Sequence, residues 1–337
     1  MADLWDNSYY MSSQTKRQLG QFYTKRDLWL LPHIAEFIHS TNAKIAYDPF
    51  VGNGDLIDAI RPLGLTSVVG LDIEPRGSWR HNDSLASIPR IANSVVITNP
   101  PYLSNYSAKR KGLYDNIAKY FANSAYDDLY LIAIEKCMSN DYGVMIVPET
   151  FINSSFPKQR LHSITVLEEN PFEDTETPVC VICFDKNIKE SAKIGVFKNE
   201  RYIGTLKEIQ DLRLIPTNNR KIKFNKRDGK IALRAVDTTD PLRPISFMRK
   251  EQLDYDLAGI KHSSRLITII SVSVADSMVD PIIADCNEAL RDYRKRTHDI
   301  LLSPFKGNRK DGVRRRRLDY ATARAIMESV CSSQLHI

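Results

Sequence analysis

The first 186 residues of this 337-residue chain predict a doubly wound α/β domain built on a mostly parallel sheet. Three observations carry that expectation. Short apolar runs recur at 45–48, 67–73, 94–98, 143–148 and 179–184, each bounded by polar or turn-forming residues. Stretches with helical apolar spacing, at 30–39, 56–63 and 127–139, alternate with them. Several runs also end in polar residues that packing does not demand. An open α/β sheet presents its ligands there, beyond the carboxyl ends of its strands.

The first run, Ile45-Ala46-Tyr47-Asp48, leads into Pro49-Phe50-Val51-Gly52-Asn53-Gly54-Asp55 and then a helix pattern. Glycines let a backbone approach a ligand closely, and the helix that follows offers its N-terminus to a negative group. Alone, such a turn is a weak signal. The second run ends at Asp72-Ile73-Glu74, about twenty residues after the glycines, a spacing at which a carboxylate holds a ribose diol. His81-Asn82-Asp83-Ser84 adds a third polar cluster, able to read an adenine edge. Taken singly, Asp72 or Asp83 would only cap a helix or turn. Their recurrence at successive strand ends argues for one shared site.

The third run, Ser94-Val95-Val96-Ile97-Thr98, ends in Asn99-Pro100-Pro101-Tyr102. Proline cannot donate to a ladder and belongs at strand ends, so the pair fixes the backbone at the sheet's ligand-binding edge. The Asn99 side-chain oxygen and the Pro100 carbonyl would converge as two neutral acceptors, with Tyr102 as a stacking face. That set suits the exocyclic amine of a planar base.

Other chemistries find no matching pattern. There is no Gly-x-Gly-x-x-Gly and no phosphate loop ending in Gly-Lys-Ser/Thr. Cys180 and Cys183 have metal-ligand spacing but lie in an apolar strand run without a second pair, so no metal is expected. Five scattered cysteines and no membrane-length apolar run lead us to expect a cytoplasmic protein of a bacterium, archaeon or phage.

Taken in order, these motifs resemble the amino-methylating, S-adenosylmethionine-dependent DNA methyltransferases, specifically adenine-N6 enzymes of the gamma arrangement. The resemblance runs from Gly20 to Lys186 and implies a Rossmann-like, mostly parallel seven-stranded sheet with helices on both faces. It implies S-adenosylmethionine as cofactor, with Phe22, Tyr23 and Thr24 over its methionine moiety. Asp48, Pro49, Gly52 and Gly54 would form the cofactor loop, Asp72 and Ile73 the ribose contact, Asp83 and Ser84 the adenine contact. Asn99, Pro100, Pro101 and Tyr102 match the catalytic motif in full, and Phe172 falls where the family places an aromatic against an everted base. Lys25, where a proline is usual, and Asp55 depart from the pattern. Eversion costs about a few kcal/mol. Stacking on Tyr102 and Phe172 would offset much of it, at about 1–3 kcal/mol per base. RNA adenine-N6 transfer, cytosine-N4 transfer and an inactive DNA-binding relative are the alternatives.

Charge divides the chain near 187: residues 1–186 carry a net −5 and residues 187–337 a net +11. The second part is expected to be a basic α+β target-recognition region bound to double-stranded DNA, so that the domains are 1–187 and 188–337. Lys221 and Arg227, Arg294 and Arg296, and the run Arg314, Arg315, Arg316 and Arg317 are its candidate phosphate contacts, with Lys109, Arg110 and Lys111 in the first part. A cognate restriction endonuclease would act on the same DNA site. Strands are expected at 193–197 and 266–274, a helix broken near Pro281 at 275–299, a helix at 320–330, and a frayed tail beyond.

Overall fold

The computed structural model of the chain describes residues 28–74, 77–172, 176–219, 221–253 and 266–335. They form two compact units that meet between Tyr202 and Ile203. The first carries a sheet of nine strands, the last of which runs across that division: β1 (Ile45–Asp48), β2 (Ser67–Asp72), β3 (Arg80–His81), β4 (Ser94–Thr98), β5 (Gly143–Pro148), β6 (Leu161–Val166), β7 (Val179–Phe184), β8 (Gly195–Lys198) and β9 (Arg201–Thr205). Their order is β3-β2-β1-β4-β5-β7-β6-β8-β9. From β3 through β5 neighbouring strands pair in parallel, as do β6 and β8, whereas β7 runs antiparallel to both β5 and β6. The sheet is thus the expected Rossmann-like one, with two strands more than seven. β8 and β9 extend its β6 edge, which carries the unit past the boundary expected at 187.

Every residue of β4, β5 and β7 is buried. Continuous apolar runs form strands covered on both faces, and each fully buried Val or Ile contributes about 1.5–3 kcal/mol. Helix α1 (Pro32–Ser40) starts on a proline and buries Ile34, Phe37 and Ile38 on one stripe. Helix α2 (Asp55–Ile60) ends in a 3-10 turn that Gly64 terminates at φ +74°. Between β4 and α5 (Leu129–Cys137) there are two helices. Ser104 Oγ caps α3 (Asn105–Lys111) by accepting from Ser107 N–H at 3.1 Å. Then α4 (Tyr114–Ala122) buries Ile117, Tyr120 and Phe121, a helical triplet within an otherwise polar stretch.

The second unit holds a four-stranded antiparallel sheet of β10 (Ile222–Phe224), β11 (Ile231–Arg234), β12 (Ser246–Arg249) and β13 (Ile267–Val272), in the order β10-β13-β11-β12. A separate two-stranded ribbon pairs β14 (Ser303–Asn308) with β15 (Arg314–Arg317). Helix α6 (Leu206–Asp211) opens with a capping box between Thr205 and Glu208. Helix α7 (Val279–Arg296) is continuous, because Pro281 lies in its first turn, where no intrahelical N–H is lost. Helix α8 (Tyr320–Leu335) runs on through residues expected to fray. Its Glu328 carboxylate is buried and accepts from Thr217 N–H (2.5 Å), Thr217 Oγ1 (2.8 Å), Asn218 N–H (3.2 Å) and Asn219 N–H (2.8 Å), with Arg324 2.8 Å away. Burial opposes that charge, but these donors outweigh it and hold Glu328 below the usual carboxylate range.

Candidate functional site

A cavity of about 340 Å³ opens where β1, β2 and β4 end, at the lower end of the size range of small-ligand sites. Asp48, Pro49 and Gly52 line it from the loop after β1, Asp72 and Ile73 from the end of β2, and Asn99 and Pro101 from the turn after β4. Asp83 and Ser84 complete that wall. Polar groups from four places in the sequence therefore meet at one site. Gly54 does not line the cavity. It caps α2 at φ +90°, a left-handed conformation, and an added Cβ would meet the Trp79 ring at 3.1 Å.

Asp48 is 1% exposed. Thr98 Oγ1 donates to its Oδ1 at 2.5 Å and Phe50 N–H at 3.0 Å. Burial nevertheless dominates those two bonds and pushes its pKa up to about 7. Asp72 is placed differently. Its Oδ2 accepts from Gly52 N–H at 2.9 Å and its Oδ1 from Glu74 N–H at 2.8 Å, so the end of β2 braces the glycine turn. Burial works against the charge of Asp83, yet hydrogen bonds from Lys119 Nζ (2.8 Å) and Tyr120 Oη (2.9 Å) outweigh it and hold that carboxyl low. Asn82 Nδ2 donates to Ser84 Oγ and Ser87 O, both at 2.9 Å.

In the turn after β4, Pro100 is buried behind the cavity-lining Asn99 and Pro101. The Tyr102 hydroxyl lies within hydrogen-bonding reach of Asn99 Oδ1 and 2.8 Å from the Ile146 carbonyl. It has one proton and so serves one acceptor at a time. Burial holds that phenol well above its ordinary pKa, which keeps it a donor. The Tyr102 ring is not a free stacking face: it packs edge-on to Phe172 (centroids 6.1 Å, 64°) and to Tyr130 (6.5 Å, 82°). Phe172 is 4% exposed, belongs to the core and does not line the cavity. The expected aromatic clamp is thus not formed as two parallel faces, since both rings complete the packing beside β5 and β7. Phe22, Tyr23 and Thr24 lie outside the described residues.

Three residues on α4, Asn116, Ile117 and Tyr120, also line the cavity, and sequence reasoning missed them. The signal available was the Ile117, Tyr120, Phe121 spacing. Cys180 and Cys183 are both fully buried in β7. Among the described residues, no group of three or more His, Cys, Asp or Glu is placed to hold a metal, and no helix is long and apolar enough to cross a membrane.

The candidate phosphate contacts divide sharply. Lys109, Arg110 and Lys111 are exposed in the last turn of α3, with Lys109 Nζ 4.7 Å from the Tyr114 ring centroid. Lys221 and Arg227 are exposed, and so is Arg296, 3.4 Å from Asp292. Arg315 and Arg317 are half-buried. Three arginines do not fit the expectation. Arg294 bridges Asp237 (2.9 Å) and Asp299 (2.8 Å), while Arg314 and Arg316 are 5% and 2% exposed. A buried Asp237 requires a cation, and strand alternation turns every second arginine of β15 inward.

Residues 92–174 match the Eco57I restriction-modification methylase family. No curated protein matches the chain. Among solved structures, the chain is similar to a protein assigned to the class I S-adenosylmethionine-dependent methyltransferases from Listeria monocytogenes, at 16% identity and a TM-score of 0.36, over 49% of this chain and 63% of that one. The methyltransferase subunit of a type I restriction-modification system from Streptococcus thermophilus is similar at 17% identity and a TM-score of 0.34, over 57% of this chain and 53% of that one. The M protein of the type I restriction enzyme EcoKI is similar at 12% identity and a TM-score of 0.34, over 83% and 72% of the two chains. The chain spans less than two thirds of the length of the first two.

Proposed function

We infer that this chain is an S-adenosylmethionine-dependent DNA methyltransferase of restriction-modification type, acting on N6 of an adenine turned out of the duplex. One observation carries the reading: Asn99, on a proline-fixed turn, shares a cavity with Asp48, Asp72 and Asp83. The match of residues 92–174, which contain that turn, supports it. The residues present fit the cofactor. Carboxylates from successive strand ends suit a ligand with a positive centre, and the glycine turn admits close backbone approach. When bound, S-adenosylmethionine would supply an activated methyl on a sulfonium. Asp72 would accept from the ribose hydroxyls, and Asp83 and Asn82 would face the adenine.

At the target, Asn99 Oδ1 and the Pro100 carbonyl would accept the two N–H groups of the adenine amine. Both acceptors are neutral, so they favour a pyramidal nitrogen and the positive charge that develops on it without taking its proton. Tyr102, a protonated donor beside Asn99, orients the amide. Catalysis on this scheme is positioning and electrostatics. The basic second part, residues 188–337, supplies affinity for double-stranded DNA, and a cognate endonuclease would share the recognition sequence.

The test is nucleoside mass spectrometry on DNA from cells producing the chain or its Asn99→Ala variant. N6-methyladenine present with the first and absent with the second is the expected result. A methyl group on cytosine N4, on RNA or on protein would overturn the assignment.

A further inference from the structure

β14 and β15 form a two-stranded sheet of their own. Its register pairs Ser303 with Arg317, Pro304 with Arg316 and, past an irregularity between Pro304 and Asn308, Asn308 with Arg314; cross-strand partners share a face. One face therefore carries Pro304 and the buried Arg314 and Arg316. The other carries Ser303, Phe305, Arg315 and Arg317, all half-exposed. The Arg315 guanidinium lies over the Phe305 ring at 4.8 Å, which confirms the shared face. It is held there by Nε donating to Asp237 O at 2.8 Å and Nη1 to Lys306 O at 3.4 Å. Arg317, Lys306 and Lys310 form no ion pair among the described residues, and both lysines are exposed.

The ribbon is also rigidly mounted. Asp237 N–H donates to Arg316 O (3.0 Å), Leu318 N–H to Ala235 O (2.8 Å) and Lys310 N–H to Thr239 O (2.8 Å), so one edge is fastened to residues 235–239. Asp237 is itself anchored by Arg294. Rigid presentation is what base reading requires, since bidentate contacts fail when misplaced.

We propose that the β14–β15 ribbon is the element that reads DNA sequence, its Ser303, Phe305, Arg315 and Arg317 face entering the major groove while Lys306 and Lys310 hold flanking phosphates. This rests on the DNA methyltransferase reading above. The major groove admits a two-stranded ribbon, and arginine is the commonest bidentate partner of guanine. Residues two apart on a strand are about 6.8 Å apart, which is also two base-pair steps, so Arg315 and Arg317 are spaced to address bases two steps apart. Duplex RNA is a poor fit, because its major groove is too deep and narrow for side chains to read.

The test takes the sequence marked by the wild-type chain, mapped from the methylated positions in cellular DNA. Binding of the full chain is then measured to that duplex, to one altered at a single base pair, and to the RNA duplex of the same sequence, across a salt series. Arg317→Lys keeps the charge but removes the planar fork. It is expected to cut discrimination between the two DNA duplexes about tenfold or more while leaving binding to the altered one unchanged. Lys306→Ala with Lys310→Ala should weaken binding to both DNA duplexes equally and lower the salt slope by about 1.8. Ribbon variants that keep the wild-type mark, discrimination and salt slope would overturn the ribbon assignment alone, as would equal binding to RNA. A wild-type chain that neither marks nor binds DNA would overturn the methyltransferase reading, and the ribbon with it.

Discussion

Asp48 in the first unit and Asp237 in the second are equally hidden from solvent, yet their protons behave in opposite ways. Asp48 faces only a hydroxyl and an amide donor, and burial lifts its pKa to about 7. Burial works on Asp237 too, but the Arg294 guanidinium and the amides of Ile245 and Arg316 outweigh it and hold the carboxyl below its usual range. The first is a carboxylate without a built-in cation, open to a cavity. The second is an architectural ion pair. Charge thus points toward a ligand in one unit and toward the chain's own framework in the other. Counting arginines could not tell these apart.

The comparison is broken most severely by removing the framework cation. Arg294→Ala should cost about 3–5 kcal/mol of stability in urea unfolding, because it strands a buried carboxylate. A variant with wild-type stability and a lowered salt slope for DNA would return Arg294 to the phosphate contacts. In the other unit, Asn99→Ala should leave the fold intact and lower methyl transfer about 10²–10³-fold, with S-adenosylhomocysteine binding retained by calorimetry. Wild-type turnover would remove Asn99 from the chemistry.

Asp48 gives the comparison a pH axis. Its folded pKa lies above the ordinary value, so its contribution to stability is full below about pH 4 and is lost as pH rises through about 7. Unfolding at pH 4.5 to 7.5 should show a slope that Asp48→Asn flattens, on the order of 3 kcal/mol across the window. A slope identical in both proteins would assign the titration elsewhere. Tyr102→Phe keeps the ring and loses only the bond to Asn99 or Ile146. The expected loss is about tenfold in turnover, with little change in substrate KM. The smallest effect belongs to the exposed cations: Lys221→Ala with Arg227→Ala should leave stability unchanged and lower the DNA-binding salt slope by about 1.8.

What was legible in the sequence follows from locality. β4, β5 and β7 match their expected bounds, because each is an apolar run stopped by polar or proline residues and buried on both faces. Asn99, Asp48, Asp72 and Asp83 could be placed because strand ends in a parallel sheet all point to one edge. Tyr120 and Asn116 could not, since their part in the cavity depends on how α4 packs and not on their neighbours in sequence. The arginine strand was illegible for the same reason. Nothing local in Arg314–Arg317 favours a strand, and its pairing is supplied by residues 303–308 and Asp237. The burial of Phe172 was not legible either, because an aromatic at a family position can serve the core as readily as a substrate.

The collar of donors that Thr217, Asn218 and Asn219 place around Glu328 ties the start of the second unit to a helix more than a hundred residues downstream. During synthesis the nine-stranded sheet has all its strands once Thr205 has emerged. The second unit must wait, its polar opening segment unsatisfied, until α8 leaves the ribosome. Early termination before 328 would therefore yield a finished cavity attached to an unfastened partner, a species that proteases should trim back toward the first unit.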